Sequence, residues 1–356
     1  MHGTRNRKIP YKKMNYRFTL PMSNPSIAII TNTFNPNIAV FTRCLEAVRK
    51  QRYKGLFRHY ILDGGSHKKV LAVARQYHPR ILSFINDQNE GLGRYYRALS
   101  YIKEDIVLIL QSDNIMTSSS WLTDMVAPFK EKDVFSTFSM HNGYDPSDDI
   151  LTKYFALIGS PDPTLYYLKK SDKIRMDQMK YDKGEIIKDT QKYTIVRFTE
   201  DNQPVMGDNG CMIRAEVFRK VVRKGKPFYH TDGYRELLCM GYDTVGVVKN
   251  SIIHVSRPNI MDQVIRRVEV KKYFTDTLKG KRRYLVYNSH SPKDRRNLTA
   301  FIVFSLTIIQ PLYISVKGFI SKPDIAWFLH PIMSLLMVFG YSWSEMKRLS
   351  MRTKKI

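Results

Sequence analysis

The sequence predicts an α/β fold, followed by basic amphipathic helices and a C-terminal hairpin of two membrane-spanning helices. Three observations predict it. Short apolar runs at Ser26–Ile30, Tyr60–Leu62 and Ile106–Leu110 each close on polar or carboxylate residues. Helix-period segments alternate with these runs. Two stretches, Asn297–Val316 and Ile325–Ser344, carry no charge over 20 residues each. Short apolar runs bounded by turn residues are strands of a buried parallel sheet. Ligands of such a sheet bind beyond the carboxyl ends of its strands. Asp63 and Asp113 therefore belong on one rim.

The chain opens with a basic arm, residues 1–24, containing Arg5, Arg7, Lys8, Lys12, Lys13 and Arg17 and no acid. It lacks the apolar core of a secretion signal and suits anionic lipid. The first strand runs to Thr33 and Asn35, and Ala39–Lys50 has the spacing of an amphipathic helix covering the sheet. His59–Leu62 is the second strand, His67–Tyr77 a helix and Ile81–Ile85 a short strand. Asn89-Glu90-Gly91-Leu92-Gly93 is a turn into a helix at Arg94–Lys103, and the next strand ends at Ser112-Asp113.

From about 142 to 204 the pattern dissolves into a segment rich in Asp, Lys, Pro and Tyr, read as an insertion or lid. Order returns at Gly207-Asp208-Asn209-Gly210. A helix follows at Gly233–Met240, with Thr231 as N-cap and Gly241 as stop. Val245–Val248 and Ser251–Val255 have the length of short edge strands. The α/β domain thus spans 25–256, and 257–296 holds the basic amphipathic helices, with Arg266, Arg267, Lys271 and Lys272 interleaved among apolar positions. The spans fall within 297–344, and 345–356 is a basic tail. Both outer flanks are basic, from Lys281, Arg282 and Arg283 before to Lys347 and Arg348 after, which sets both ends cytoplasmic.

The net charge of +26 calls for an anionic partner. A nucleic-acid binder would meet that demand, but it has no use for two uncharged 20-residue segments. The three cysteines lack the spacing of a disulfide framework or a metal knuckle. A carboxylate beside Gly64 and Gly65 lets backbone approach a ligand while Asp63 accepts hydrogen bonds. A second strand-end acid, Asp113, suits a divalent metal bridging to phosphate. Either acid can instead simply cap a turn.

The runs Ile-Ile-Thr-Asn-Thr-Phe-Asn, Ile-Leu-Asp-Gly-Gly-Ser, Asn-Glu-Gly-Leu-Gly and Ile-Leu-Gln-Ser-Asp-Asn, in this order, resemble the family 2 glycosyltransferases of the GT-A fold. The likeness covers roughly Ser26–Val255, with 142–204 matching poorly. It implies a nucleoside-diphosphate-sugar site built from Thr33, Asn35, Asp63, Gly65, Asn89, Gly91, Arg94, Ser112 and Asp113. It implies a divalent metal, Mg²⁺ or Mn²⁺, on Asp113 and His254. Gly207, Asp208, Asn209 and Gly210 match the acceptor loop, and Asp232 matches the catalytic base of inverting members.

Two positions depart from the family pattern. Gln111 stands where the metal motif has its first acid, and Thr231 where a Glu precedes the base. Arg266 and Arg267 become candidates for an acceptor phosphate, because guanidinium pairs bidentately with it. The expected activity is inverting sugar transfer from a nucleotide sugar to a membrane-associated, polyprenyl-linked acceptor. The alternatives are a non-catalytic sugar-nucleotide binder, motivated by Gln111, and a nucleotidyltransferase, which Thr31–Asn37 does not favour. The sequence sets no oligomeric state.

Overall fold

The structure is a computed structural model that describes residues 18, 24–84, 93–278 and 280–353. Its N-terminal half comprises β1 (Ile27–Thr33), α1 (Ile38–Arg49), β2 (Phe57–Asp63), α2 (Lys68–Arg75), β3 (Arg80–Ser83), α3 (Arg94–Ala98) and β4 (Ile106–Ile109). Ile27–Ile30 and all of β4 are buried on both faces, as parallel strands under helices must be. Asn37 caps α1 by accepting from the Val40 N–H, and Phe41, Cys44, Leu45 and Val48 form its buried stripe. β1 pairs in parallel with both β2 and β4.

Then come β5 (Asn114–Met116), α4 (Trp121–Val126), β6 (Ser136–Gly143), α5 (Ile150–Ile158), α6 (Pro163–Tyr167), β7 (Glu185–Asp189), β8 (Tyr193–Arg197), β9 (Cys211–Arg214), α7 (Ala215–Val221), α8 (His230–Cys239) and β10 (Thr244–His254). All ten strands join one mixed sheet, in the order β3-β2-β1-β4-β9-β6-β10-β8-β7, with β5 beside β10. β9 is antiparallel to both β4 and β6. Phe135, Phe138 and Tyr234 fill one face of the sheet, and Trp121, Leu122 and Met125 the other.

Three local expectations are corrected. The 142–204 segment is not patternless: it holds two helices and the hairpin that extends the sheet. The two expected edge strands are one strand, β10, lying inside the sheet with a register shift between Val248 and Ser251. α8 begins at His230, so Thr231 is not its N-cap and Asp232 lies within the first turn. Gly241 does end this helix, at φ +94°.

The C-terminal part consists of α9 (Ile260–Lys272), a π-type turn at Tyr273–Thr277, α10 (Pro292–Thr307), α11 (Ile309–Ser321), a 3₁₀ turn at Ile325–Phe328 and α12 (Leu329–Thr353). Asn259 caps α9 by accepting from the Met261 and Asp262 N–H groups. Val264 and Val268 face Gly340 of α12. Leu151, Tyr154, Tyr167, Trp327 and Met337 form a third core that ties α5 and α6 to these helices.

One helix, Ile325–Ser350, is long and apolar enough to cross a membrane. The other expected span is not a single helix. It breaks at Ile308, whose φ is +62°, and α10 and α11 meet at 81°. Absence of charge selects an apolar environment but does not fix the backbone at one residue. Ile309, Tyr313, Ile320, Ile325 and Trp343 are all more than half exposed on these helices.

Candidate active site

The first corner of the rim, expected from the sequence to take the nucleotide, is built where β1 and β2 end in register, Thr33 beside Asp63. Asp63 is 1% exposed. Its carboxylate accepts from the Gly65 N–H at 3.0 Å, the Ser66 N–H at 3.0 and 3.2 Å, and the Thr33 hydroxyl at 3.4 Å. Gly65 adopts φ +98°, which only glycine takes without strain. Asn35 latches the two loops: its N–H donates to Ser66 Oγ at 3.0 Å and its Oδ1 accepts from the His67 N–H at 2.8 Å. Arg94 lies buried beneath, with Nη1 donating to the carbonyls of Thr33 at 2.8 Å and Leu62 at 3.0 Å. Its guanidinium packs so closely on Gly64 that a Cβ there would lie 2.1 Å from Nη2. Thr33, Asn35, Asp63, Gly65 and Arg94 therefore share one corner of the rim. Asn89 and Gly91 lie outside the described residues.

The second corner, expected from the sequence to take metal and phosphate, follows β4. Its chain turns at Gln111–Asp113 and returns as β5, which pairs antiparallel with the end of β10, placing Asn114 opposite His254. Asp113 thereby stands beside His254, Oδ2 to Nε2 at 3.6 Å, and its carbonyl accepts from the Val255 N–H at 3.0 Å. Burial pushes the Asp113 carboxyl up, but His254 and, more weakly, Arg266 outweigh it and hold the group below its ordinary range. A cavity of about 440 Å³ opens here, lined by Arg43, Ser112, Asp113, His254, Arg266 and Arg267. Arg267 Nε is buried within the protein without an acceptor among the described residues. The structure thus brings Arg266 and Arg267 to the Asp113 side.

Asp113 and His254 offer one carboxylate and one imidazole. Among the described residues no group of three or more His, Cys, Asp or Glu is placed to hold a metal. Mg²⁺ takes oxygen ligands, few of them from protein, and completes its shell with water and phosphate oxygens, so of this pair Asp113 suits it; a site that uses the imidazole as well suits Mn²⁺ better.

Gln111 does not leave its corner without an acid. Its Nε2 donates to Asp208 Oδ1 at 2.7 Å, so a carboxylate arrives from the Gly207–Gly210 loop. Gly207, Asn209 and Gly210 all have positive φ, which turns this loop tightly against Asn114, whose Nδ2 donates to Asn209 Oδ1 at 3.3 Å. Asp208 Oδ2 lies 3.9 Å from His230 Nδ1, at the start of α8. This chain of contacts joins the second corner to Asp232, two residues on.

Each oxygen of Asp232 accepts one hydrogen bond. Oδ1 accepts from the Tyr284 N–H at 2.8 Å, and Oδ2 accepts from Arg282 Nε at 2.7 Å. Arg282 Nη2 also donates to the Thr231 hydroxyl at 2.7 Å. The guanidinium lies over the rings of Tyr229 and Phe274, at 4.8 and 4.2 Å from their centroids. Sequence reasoning missed Arg282, because Lys281-Arg282-Arg283 has the look of a membrane flank. It also missed His230, for which Thr231-Asp232 next to it was the only signal.

No protein-family model matches the chain. Over 138 residues, 37% of this chain and 32% of the relative, it is 27% identical to an N-acetylglucosaminyltransferase of Neorhizobium galegae. Over 78 residues, 22% of this chain and 28% of the relative, it is 35% identical to an uncharacterized glycosyltransferase of Mycobacterium tuberculosis. The chain thus spans about a third of the length of the curated relatives it matches. A solved mannosyltransferase from Pyrobaculum calidifontis, in complex with GDP-Man and Mn²⁺, covers 95% of this chain and 93% of its own at 13% identity, with a TM-score of 0.48. Over part of its length the chain is thus similar to curated glycosyltransferases.

Proposed function

We propose that the chain transfers a sugar from a nucleoside diphosphate sugar to a polyprenyl-linked acceptor at a membrane, with inversion at the anomeric carbon. The observation that carries this reading is the rim: Thr33 and Asp63 end adjacent strands, and Asp113 stands 3.6 Å from His254 further along the same edge. Thr33, Asn35, Asp63, Gly65 and Arg94, with Asn89 and Gly91, shape the nucleoside pocket. Ser112 faces the diphosphate, and Arg266 and Arg267, which line the same cavity, are offered to an acceptor phosphate. Gly207–Gly210 line the acceptor side, where Asp232 takes the proton of an acceptor hydroxyl or, where the acceptor is itself a phosphate, positions it. Asp113 and His254 would hold a Mg²⁺ or Mn²⁺ ion, which when bound supplies Lewis-acid neutralisation of the leaving diphosphate.

The membrane part of the proposal is supported by the apolar C-terminal helices with exposed Ile309, Tyr313 and Ile320, and by their basic flanks. It places residues 25–256 as a catalytic domain on the cytoplasmic face, 257–296 at the interface and 297–344 in the lipid. The test is donor turnover by detergent-solubilised protein, using UDP- and GDP-sugars with Mn²⁺, Mg²⁺ or a chelator, with and without polyprenyl phosphate. Metal-dependent nucleotide release, stimulated by the lipid and lost in Asp113→Ala, is the expected result. Release without lipid stimulation moves the acceptor elsewhere. A second reading, a non-catalytic sugar-nucleotide binder, draws on Gln111 and on the ion pair of Asp232 with Arg282. Donor binding by calorimetry with no turnover of any donor would establish it.

A further inference from the structure

We infer that the C-terminal helices bind one leaflet of an anionic membrane and that none of them crosses it. The inference rests on the membrane part of the proposed function, and it adds the depth and the lipid charge at which the site is held.

A helix that crosses a bilayer has its ends on opposite sides of a hydrocarbon layer about 30 Å thick. Both ends of α12 are tied to one domain. Just before it, Lys322 Nζ lies 5.1 Å from the ring centroid of Tyr144, which follows β6. Near its other end, Glu345 is ion-paired with Lys271 of α9. Between these ties, His330 Nδ1 meets the Tyr154 hydroxyl of α5 at 2.9 Å, and the Tyr341 hydroxyl donates to Asp162 Oδ2 at 2.5 Å. α9 lies alongside, with Val264 and Val268 against Gly340, and it carries Asp262, Arg266, Arg267, Glu269, Lys271 and Lys272. Sinking α12 through the hydrocarbon would take those charges with it, which is strongly unfavourable.

The side of α12 turned away from the domain is a single apolar stripe. Ile332, Phe339, Trp343 and Met346 recur at helical spacing, and each is at least half exposed. A helix with one such stripe lies in the plane of the interface. The bent pair is too short to cross. From Arg296 to the bend at Ile308 the chain rises about 18 Å, and from the bend to Lys317 about 14 Å. Each arm thus matches about half of the hydrocarbon thickness. Beside the bend, Gln310 Oε1 accepts from the Tyr167 hydroxyl of α6 at 2.5 Å, so the apex stays on the domain. The apolar surface is edged by exposed Lys293, Arg295, Arg296, Lys317 and Lys347, which complement anionic headgroups. With α12 lying flat, α9 holds Arg267 and the cavity it lines at headgroup depth, where the phosphate of a lipid acceptor lies.

The test uses sealed, inverted membrane vesicles from cells making the full chain with Cys239→Ser, in which the remaining cysteines, Cys44 and Cys211, are buried. One cysteine is introduced by Ser321→Cys or Lys347→Cys, at exposed positions towards either end of α12. A maleimide that does not cross membranes is added outside. Both sites should label fully in intact vesicles, with no gain when detergent opens them. Protection of either site until the vesicles are opened overturns this inference alone. Lipid charge is read by flotation of the purified chain with vesicles of phosphatidylcholine, with or without phosphatidylglycerol. Binding should be tighter with phosphatidylglycerol present. Arg295→Gln combined with Arg296→Gln should weaken it about thirtyfold, at about fivefold for each basic residue. Equal binding to both kinds of vesicle overturns the anionic leaflet. A chain that floats with neither and is missing from the membrane fraction overturns the membrane part of the proposed function and this inference with it; a dimer in that case assigns the apolar surface to a second copy.

Discussion

Asp63 can be tested separately as a turn anchor and as a nucleotide ligand, because the two roles have different readouts. Asp63→Ala removes the acceptor for the Gly65 and Ser66 N–H groups and for the Thr33 hydroxyl. A buried donor left unmatched costs about 1–3 kcal/mol. Gly65 is exposed and Ser66 half-buried, so water can reach both and the low end applies. The sum is about 2 kcal/mol for the two N–H groups, with the 3.4 Å Thr33 contact adding little. Asp63→Asn keeps one acceptor oxygen and turns the other into a donor facing a donor, so it should cost about 1 kcal/mol. Urea unfolding followed by circular dichroism measures both, and calorimetry with UDP- and GDP-sugars measures the second role. If Asp63→Ala unfolds at the wild-type urea midpoint, the bond accounting above is wrong. If it is destabilised as expected yet binds the donor as tightly as wild type, Asp63 is an anchor only.

Replacing His254 or Asp113 with Ala should weaken Mn²⁺-dependent donor binding at least about tenfold, since losing even an outer partner of a metal ligand costs that much; equal affinities with Mn²⁺ and with chelator in wild type would sink this. Gly207→Ala forces a Cβ at φ +102° to within 2.5 Å of the Tyr234 ring. Overpacking of this kind costs about 1–3 kcal/mol, so an unshifted melting temperature would show that the loop relaxes freely. His59, which shares a 2.9 Å hydrogen bond with Thr31, is pushed by burial down to about 4. Its folded value lies below the unfolded one, so the proton favours the unfolded chain. Stability present above pH 6.5 is lost as pH falls towards 4, by at most about 1.4 kcal/mol per pH unit. His59→Gln should flatten that slope, and an unchanged pH–stability curve would contradict the assignment. Ile309→Asp, at a 73% exposed position, should reduce flotation with anionic vesicles while leaving thermal stability unchanged; undiminished flotation would remove α11 from the membrane contact.

The N-terminal half was legible because its signals are local. Strand ends at Thr33 and Asp63 follow from uninterrupted apolar runs that stop at turn residues, and α1 follows from its own period. What stayed hidden depends on distant partners. Lys249-Asn250 looks like a gap between two edge strands. It is a register shift in one interior strand, visible only once β6 and β5 are in place. Gln111 looked like a lost acid until Asp208, 97 positions away, came to its amide. Asp232 looked like a free base because Arg282 lies 50 positions downstream, in a run whose charge has a second use. The kink at Ile308 has a signal in Pro311, which has no N–H to give the Thr307 carbonyl and whose ring crowds that carbonyl, but an uncharged run read as one span passes over it.

The place of β9 bears on how the chain comes to be folded at all. Strands β1 to β4 draw their partners from residues 27–109, so they can pair early during synthesis. The outer edge of β4 is covered only by Cys211–Arg214, and β10, which gathers β5, β6 and β8, arrives later still. For about a hundred residues of elongation the nascent chain carries an apolar, unpaired sheet edge, a template for association with other chains. Pairings of such long sequence separation form slowly. A chain that stops before residue 211 would keep that edge open, and it is expected to aggregate where the full-length chain folds.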